Sequence, residues 1–189
     1  MSQWQILGRW LAAPPADWRD RLVARLGSRP RRLGPWCELG LFGALECLAD
    51  AGETRLPEAA LVSVASLHGP DRALRDALAQ LREDGLPLPL GFLQSQPNQL
   101  LAHFCAATGW QGDARTLGTR APLDALRIAT QGAADELLLG WVDEDGKHGH
   151  VACSRWLRLR RQPADASAAP PCPGAPDLPA WLGLDAFRL

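Results

Sequence analysis

ALVSVASLHGP, residues 60–70, is the stretch on which the fold turns. Residues 60–66 are a short, β-branched, apolar run, which reads as a strand buried on both faces. Leu67, His68, Gly69 and Pro70 then turn the chain into a helix predicted over residues 70–84. There Leu74, Leu78 and Leu81 recur on one face. A buried strand feeding directly into a helix is the building unit of an α/β layered sheet.

Similar units lie on either side. Residues 3–10 (QWQILGRW) read as a strand, and residues 16–27 as an amphipathic helix carrying Trp18, Leu22 and Leu26 and ended by Gly27. Residues 35–51 are apolar nearly all round, with Pro35 suited to the first turn and Gly52 to the C-terminal end, so this helix is predicted to be buried. After a loop (DGLPLPLGF), residues 95–108 read as a helix with Leu100, Phe104 and Ala107 aligned. A strand follows at about 114–118, then a helix at 121–132 and a strand at 135–143. Asp145-Gly146, in the turn 144–149, is a hairpin signal that returns the chain as a strand over 150–159. The expected architecture is α/β: a mostly parallel five-stranded sheet with one antiparallel edge strand and helices on both faces. From about residue 162 the composition changes, with six prolines in the last 28 residues. The chain therefore divides into a domain over 1–161 and a Pro-rich linker over 162–189. The linker's apolar end (Trp181, Leu184, Phe187) is expected to dock.

At 189 residues the chain can bury about 70% of its unfolded surface and needs no staples. The net charge of −1 argues against bulk nucleic-acid binding. No apolar run is long enough to span a membrane, and the N-terminus lacks a signal-peptide pattern, so the expected location is cytoplasmic. The cysteines are Cys37, Cys47, Cys105, Cys153 and Cys172, an odd number with no C-x-x-C. They are expected to be thiols in a reducing compartment, with neither a disulfide framework nor a metal site. Nineteen of the twenty basic residues are arginine, so an arginine is by itself no sign of bidentate recognition here.

Catalytic signatures are missing. There is no G-x-S-x-G elbow, no G-x-G-x-x-G and no P-loop, and no cofactor is implied. His103 reads as a partly buried helix residue, and His148 and His150 as polar residues of the hairpin turn. His68 stands at a strand end, where α/β proteins place functional groups. Two arginine groups remain: Arg29, Arg31 and Arg32, and then Arg155, Arg158, Arg160 and Arg161. They read either as solvated surface or as docking sites for an acidic partner.

Four segments together resemble the N-terminal half of a β-ketoacyl synthase. More narrowly, they resemble the short, chain-length-factor-like proteins of aryl polyene pigment clusters. VSVASLHGPDRALRDAL (62–78) is similar to that family's strand, S-x-H-G and helix. PLPLGFLQSQPNQLLAHFCAATG (87–109) resembles its L-S-P-x-x-F…S-V-H-N stretch, with Ser95 and Asn98 retained and Pro97 in place of the histidine. RTLGTRAPLDALRIA (115–129) resembles the nucleophile region, and GAADELLLGWVDE (132–144) the strand after it.

The resemblance implies half of a thiolase fold, with Ser66, His68, Gly69, Ser95 and Asn98 as its motif residues. It puts Thr119 where a ketosynthase carries its catalytic cysteine, and residues 106–152 contain no cysteine. The histidines for condensation would lie in a second half outside these residues. The implied role is a non-catalytic partner that binds a ketosynthase, an acyl carrier protein, or both. A homodimer is the other assembly that this role allows. The alternatives are a cryptic thioester transferase or hydrolase using Thr119, Ser66 or His68, and a free-standing structural or regulatory protein.

Overall fold

The computed structural model describes residues 4–86, 88–144 and 152–162. The strands are β1 (Trp4–Trp10), β2 (Leu61–Ser66), β3 (Ala114–Gly118), β4 (Glu136–Asp143) and β5 (Cys153–Arg161). The helices are α1 (Trp18–Leu26), α2 (Pro35–Asp50), α3 (Asp71–Asp84), α4 (Pro89–Gln94), α5 (Asn98–Thr108) and α6 (Pro122–Thr130). The Asp145-Gly146 turn with His148 and His150, Cys172 and the expected docking segment at 178–189 all lie outside the described residues.

The five strands form one mixed sheet in the order β1-β5-β4-β2-β3. The fold class is α/β, as expected, but the sheet corrects one expectation. The antiparallel strand is not at an edge: β5 lies between β4 and β1 and runs antiparallel to both, while β2 is parallel to β4 and β3. The edge position goes to β1, which caps the β4–β5 pair. A second difference is α4, which forms where a loop was expected. Pro89 fits its first turn, where a missing N–H costs nothing.

β4 and β5 set the two cores. Side chains alternate across a strand, so Leu138, Val142 and Trp156 face one side, and Leu137, Leu139, Trp141, Leu157 and Leu159 face the other. The first side packs against α1, α2 and α5. The second packs against α6 through Ala125 and Ala129. α2 is buried nearly all round, as its composition predicts. It approaches the sheet so closely at Gly43 that a Cβ there would lie 2.2 Å from Ser154 Oγ and 2.7 Å from the Trp156 indole. Gly43→Ala should therefore destabilise the protein by about 1–3 kcal/mol through overpacking, read as a lower urea midpoint with an unchanged slope.

Arg158 is fully enclosed on β5. It makes a bidentate pair with Glu53 (2.7 and 3.1 Å), a second pair with Glu136, and donates from Nη1 to the Leu159 carbonyl at 3.0 Å. The whole guanidinium is thus satisfied internally, which is the condition for burying a charge.

Candidate functional site

β2 and β3 run parallel, so their C-terminal ends open at the same end of the sheet. At this end the chain leaves β2 through a tight loop. Ser66 Oγ donates to Asp143 Oδ1 at 2.7 Å and accepts from the Gly69 amide at 2.6 Å. The same carboxylate oxygen accepts from the amides of Leu67 (3.1 Å) and His68 (3.4 Å). Gly69 sits at φ +63°, a left-handed conformation that glycine adopts without a Cβ clash. Next door, Glu144 accepts from the Arg72 amide at 2.7 Å and so caps α3. Burial pushes the Glu144 carboxyl above its ordinary range. The end of β4 thus clamps both the loop and the helix that follows it. Asp143→Ala should cost about 2–3 kcal/mol, and hydrogen exchange should quicken at the Leu67 and His68 amides.

This loop forms one wall of a cavity of about 350 Å³. Ser66, His68, Gly69 and Ser95 all line it, so four of the five motif residues meet in one place. Asn98 begins α5, one residue beyond Pro97, which also lines the cavity. Trp36 forms another part of the wall, and its Nε1 donates to the Val142 carbonyl at 3.0 Å, tying α2 to β4. With Val64, Leu67, Leu74 and Leu117 the lining is largely apolar, with a few hydroxyls and one imidazole.

Thr119 follows directly on Gly118, another lining residue. It lies before the helix rather than on it: α6 begins at Pro122, with Ala121 as its N-cap. Its amide donates to the Ser66 carbonyl at 3.1 Å and its hydroxyl to the Ala121 carbonyl at 3.4 Å. The hydroxyl proton of Ser66 is likewise committed to Asp143. Burial pushes the Cys37 thiol up to about 12, and it also raises those of Cys47, Cys105 and Cys153. None of these four thiols is poised as a thiolate.

Beside the cavity lies an unusual amount of exposed apolar surface. Leu74, Leu78 and Leu81 of α3 are more than two-fifths exposed, and Leu86, Leu88, Leu90, Phe92 and Leu93 continue the patch through α4. Only Ala77 of α3 is buried. The stripe that reads as a core face in the sequence thus points largely outward. β3, at the end of the strand order, pairs only with β2 among the described residues. On α6, Leu123 and Ile128 are also exposed.

The two arginine groups behave differently. Besides the enclosed Arg158, Arg160 pairs with Glu136 at 3.0 Å. Arg161 pairs with Asp135 at 3.2 Å and stacks on the Trp4 ring. Only Arg155 of that group lacks an ion pair among the described residues. Arg29, Arg31 and Arg32 are all exposed. Sequence reasoning, which notes Asp143 only as a neighbour of His148 and His150, does not connect Asp143 and Glu144 to the loop they organise. Their signal is position: Asp143 ends β4 and Glu144 follows it, and the β2–β4 register, which closes at Ala65 and Trp141, puts them level with the loop that leaves β2. No group of three or more His, Cys, Asp or Glu residues placed to hold a metal occurs among the described residues, and no described helix is long and apolar enough to cross a membrane.

No family model matches the chain, and no curated protein does. Solved structures do. A chain of the ketosynthase in complex with its chain length factor from Xenorhabdus doucetiae matches with a TM-score of 0.59 and 15% identity, over 86% of this chain and 78% of that chain. A second match comes from a type II PKS acyl-carrier protein in complex with its ketosynthase bound to the hexaketide. Its TM-score is 0.64 at 12% identity, over 85% of this chain and 64% of that one. A third comes from the ishigamide ketosynthase/chain length factor, with a TM-score of 0.57 at 13% identity, over 85% and 58%. The chain thus spans less than two thirds of the length of the last two. The likeness is one of fold: this chain has the thiolase-like architecture of ketosynthase and chain length factor subunits.

Proposed function

We propose that this chain, folded as ketosynthase and chain length factor subunits are, is a non-catalytic partner of a ketosynthase in fatty-acid or polyketide-type biosynthesis. The observation that carries the reading is the exposed apolar face of α3 and α4, near β3, the last strand of the sheet among the described residues. A monomer that exposes so many large apolar side chains in one region has a surface suited to another chain. The fold supports a ketosynthase-like occupant, and the β3 edge, unpaired on one side among the described residues, suits backbone pairing with it.

Among the described residues the Ser66 and Thr119 hydroxyls are committed to other groups and burial raises the thiol pKa values, which favours the partner role over a thioester transferase. Thr119 lies where the resemblance expects a cysteine, yet its hydroxyl donates to a backbone carbonyl. The cavity walled by Ser66, His68, Gly69 and Ser95 would contribute one side of an acyl-binding space, with an acyl carrier protein delivering the chain. Aryl polyene-type pigment synthesis is the product class that the sequence resemblance suggests.

The test is a condensation assay with malonyl- and acyl-carrier substrates. The purified chain alone should form no product, and adding it to the ketosynthase of its own host should change the yield or length of the product. Condensation by the chain alone, or no effect on the ketosynthase, would overturn the proposal.

A further inference from the structure

We infer that the loop at residues 28–32 is a docking surface for an acidic protein partner, held next to the cavity. The partner's identity as a carrier rests on the function proposed above, but the chemistry of the loop does not. Two arginine groups could have served an acidic partner, and the fold uses up most of one of them. Arg158, Arg160 and Arg161 are bound to carboxylates of the same chain. So are Arg19, Arg21, Arg25, Arg55 and Arg75 elsewhere. Arg29, Arg31 and Arg32 depart from this habit. All three are exposed, none has an ion pair among the described residues, and no Asp or Glu occurs from residue 21 to residue 37. A chain with a net charge of −1 thus concentrates three arginines without an ion pair among the described residues within four positions; Arg29 also lines a smaller concavity with Asp20 and Glu38, while Arg31 and Arg32 lie outside its lining.

These arginines line an open concavity of about 760 Å³ together with Ser28 and Pro30. It holds no buried polar group that would form a fitted site for a small anion. Exposed guanidinium groups around a wide, shallow opening suit clustered carboxylates on a protein surface, through steering and paired N–H···O bonds. The loop is also tied to the cavity. Gly34 packs on Gln94, where an added Cβ would lie 3.3 Å from the Gln94 Cβ. Next to Gln94 is Ser95, and two residues beyond Gly34 is Trp36; both line the cavity. A partner held at the loop would therefore stand near the cavity at the C-terminal ends of β2 and β3.

The test titrates the full chain with a fluorescein-labelled hexaglutamate peptide and follows anisotropy. Saturable binding is expected, weakening as salt rises from about 20 to about 150 mM. The triple variant Arg29→Gln/Arg31→Gln/Arg32→Gly should lose at least about 10-fold in affinity. Its fold should survive, because all three side chains are exposed and glycine suits the φ of +64° at residue 32. The variant Arg72→Gln/Arg82→Gln removes charge from α3 instead and should bind as the parent does. Equal loss in both variants would mean unspecific charge attraction and would overturn the inference. So would full displacement of the peptide by inorganic phosphate, or no binding by the parent. The titration uses this chain alone, so its failure is distinguishable from a failure of the ketosynthase assay.

Discussion

Replacing Arg158 by alanine should destabilise the protein by about 3–5 kcal/mol, the range for breaking a buried ion pair from one side. The loss combines a cavity on β5 with two carboxylates, Glu53 and Glu136, deprived of their main partner. Both carboxylates are about one-fifth exposed, so water can partly replace the guanidinium and the lower end of the range is expected. The triple variant Arg158→Met/Glu53→Gln/Glu136→Gln should recover much of the loss, because no uncompensated charge remains. pH supplies a second signature. Burial works to raise the Glu136 carboxyl, but its bonds to Arg158 and Arg160 prevail and hold it below its ordinary value. A depressed carboxylate contributes stability above its unfolded pKa, near 4.5. That contribution is lost as pH falls through the folded value. Urea midpoints of the parent should therefore drop below about pH 4.5, and those of the Arg158→Ala variant should drop less steeply.

The second large effect is on assembly. Leu78→Arg puts a charge at the centre of the exposed α3 stripe, and Phe92→Arg does the same on α4, where Phe92 is 54% exposed. Neither side chain is part of the core, so both variants should fold with unchanged midpoints. Each should weaken association with the ketosynthase by about 2 kcal/mol or more, roughly 30-fold, as expected when a central apolar anchor is replaced. Isothermal titration or analytical ultracentrifugation reads this directly. Unchanged affinity in both variants would move the interface away from α3 and α4.

Much of the fold is legible in the residues, for a physical reason. Runs such as LVSVAS and ELLLGWVD are apolar on both faces, so they can only be buried strands, and both form as β2 and β4. Strand order is a different matter. Whether β5 lies at an edge depends on what pairs with its far side, and that partner, β1, is about 150 residues away in the chain. α4 was hidden by its length of six residues and by the prolines around it. The arginine-rich end of β5 looks like surface by composition, but its period says otherwise. Ser154, Trp156 and Arg158 alternate onto one face, and a buried Trp156 already implies an inward Arg158. The candidate site was half visible. Ser66, His68, Gly69 and Ser95 were identifiable as motif residues, but the carboxylate of Asp143 that holds their loop comes from another strand and is joined to it only by the fold.

The most direct test of the central claim is light scattering on a size-exclusion column, with this chain and the ketosynthase of its own host loaded together. A single complex containing both chains is expected, lost when Leu78→Arg is introduced. Two separate peaks from the parent mixture, or a self-assembled species of this chain that leaves the ketosynthase unbound, would contradict it.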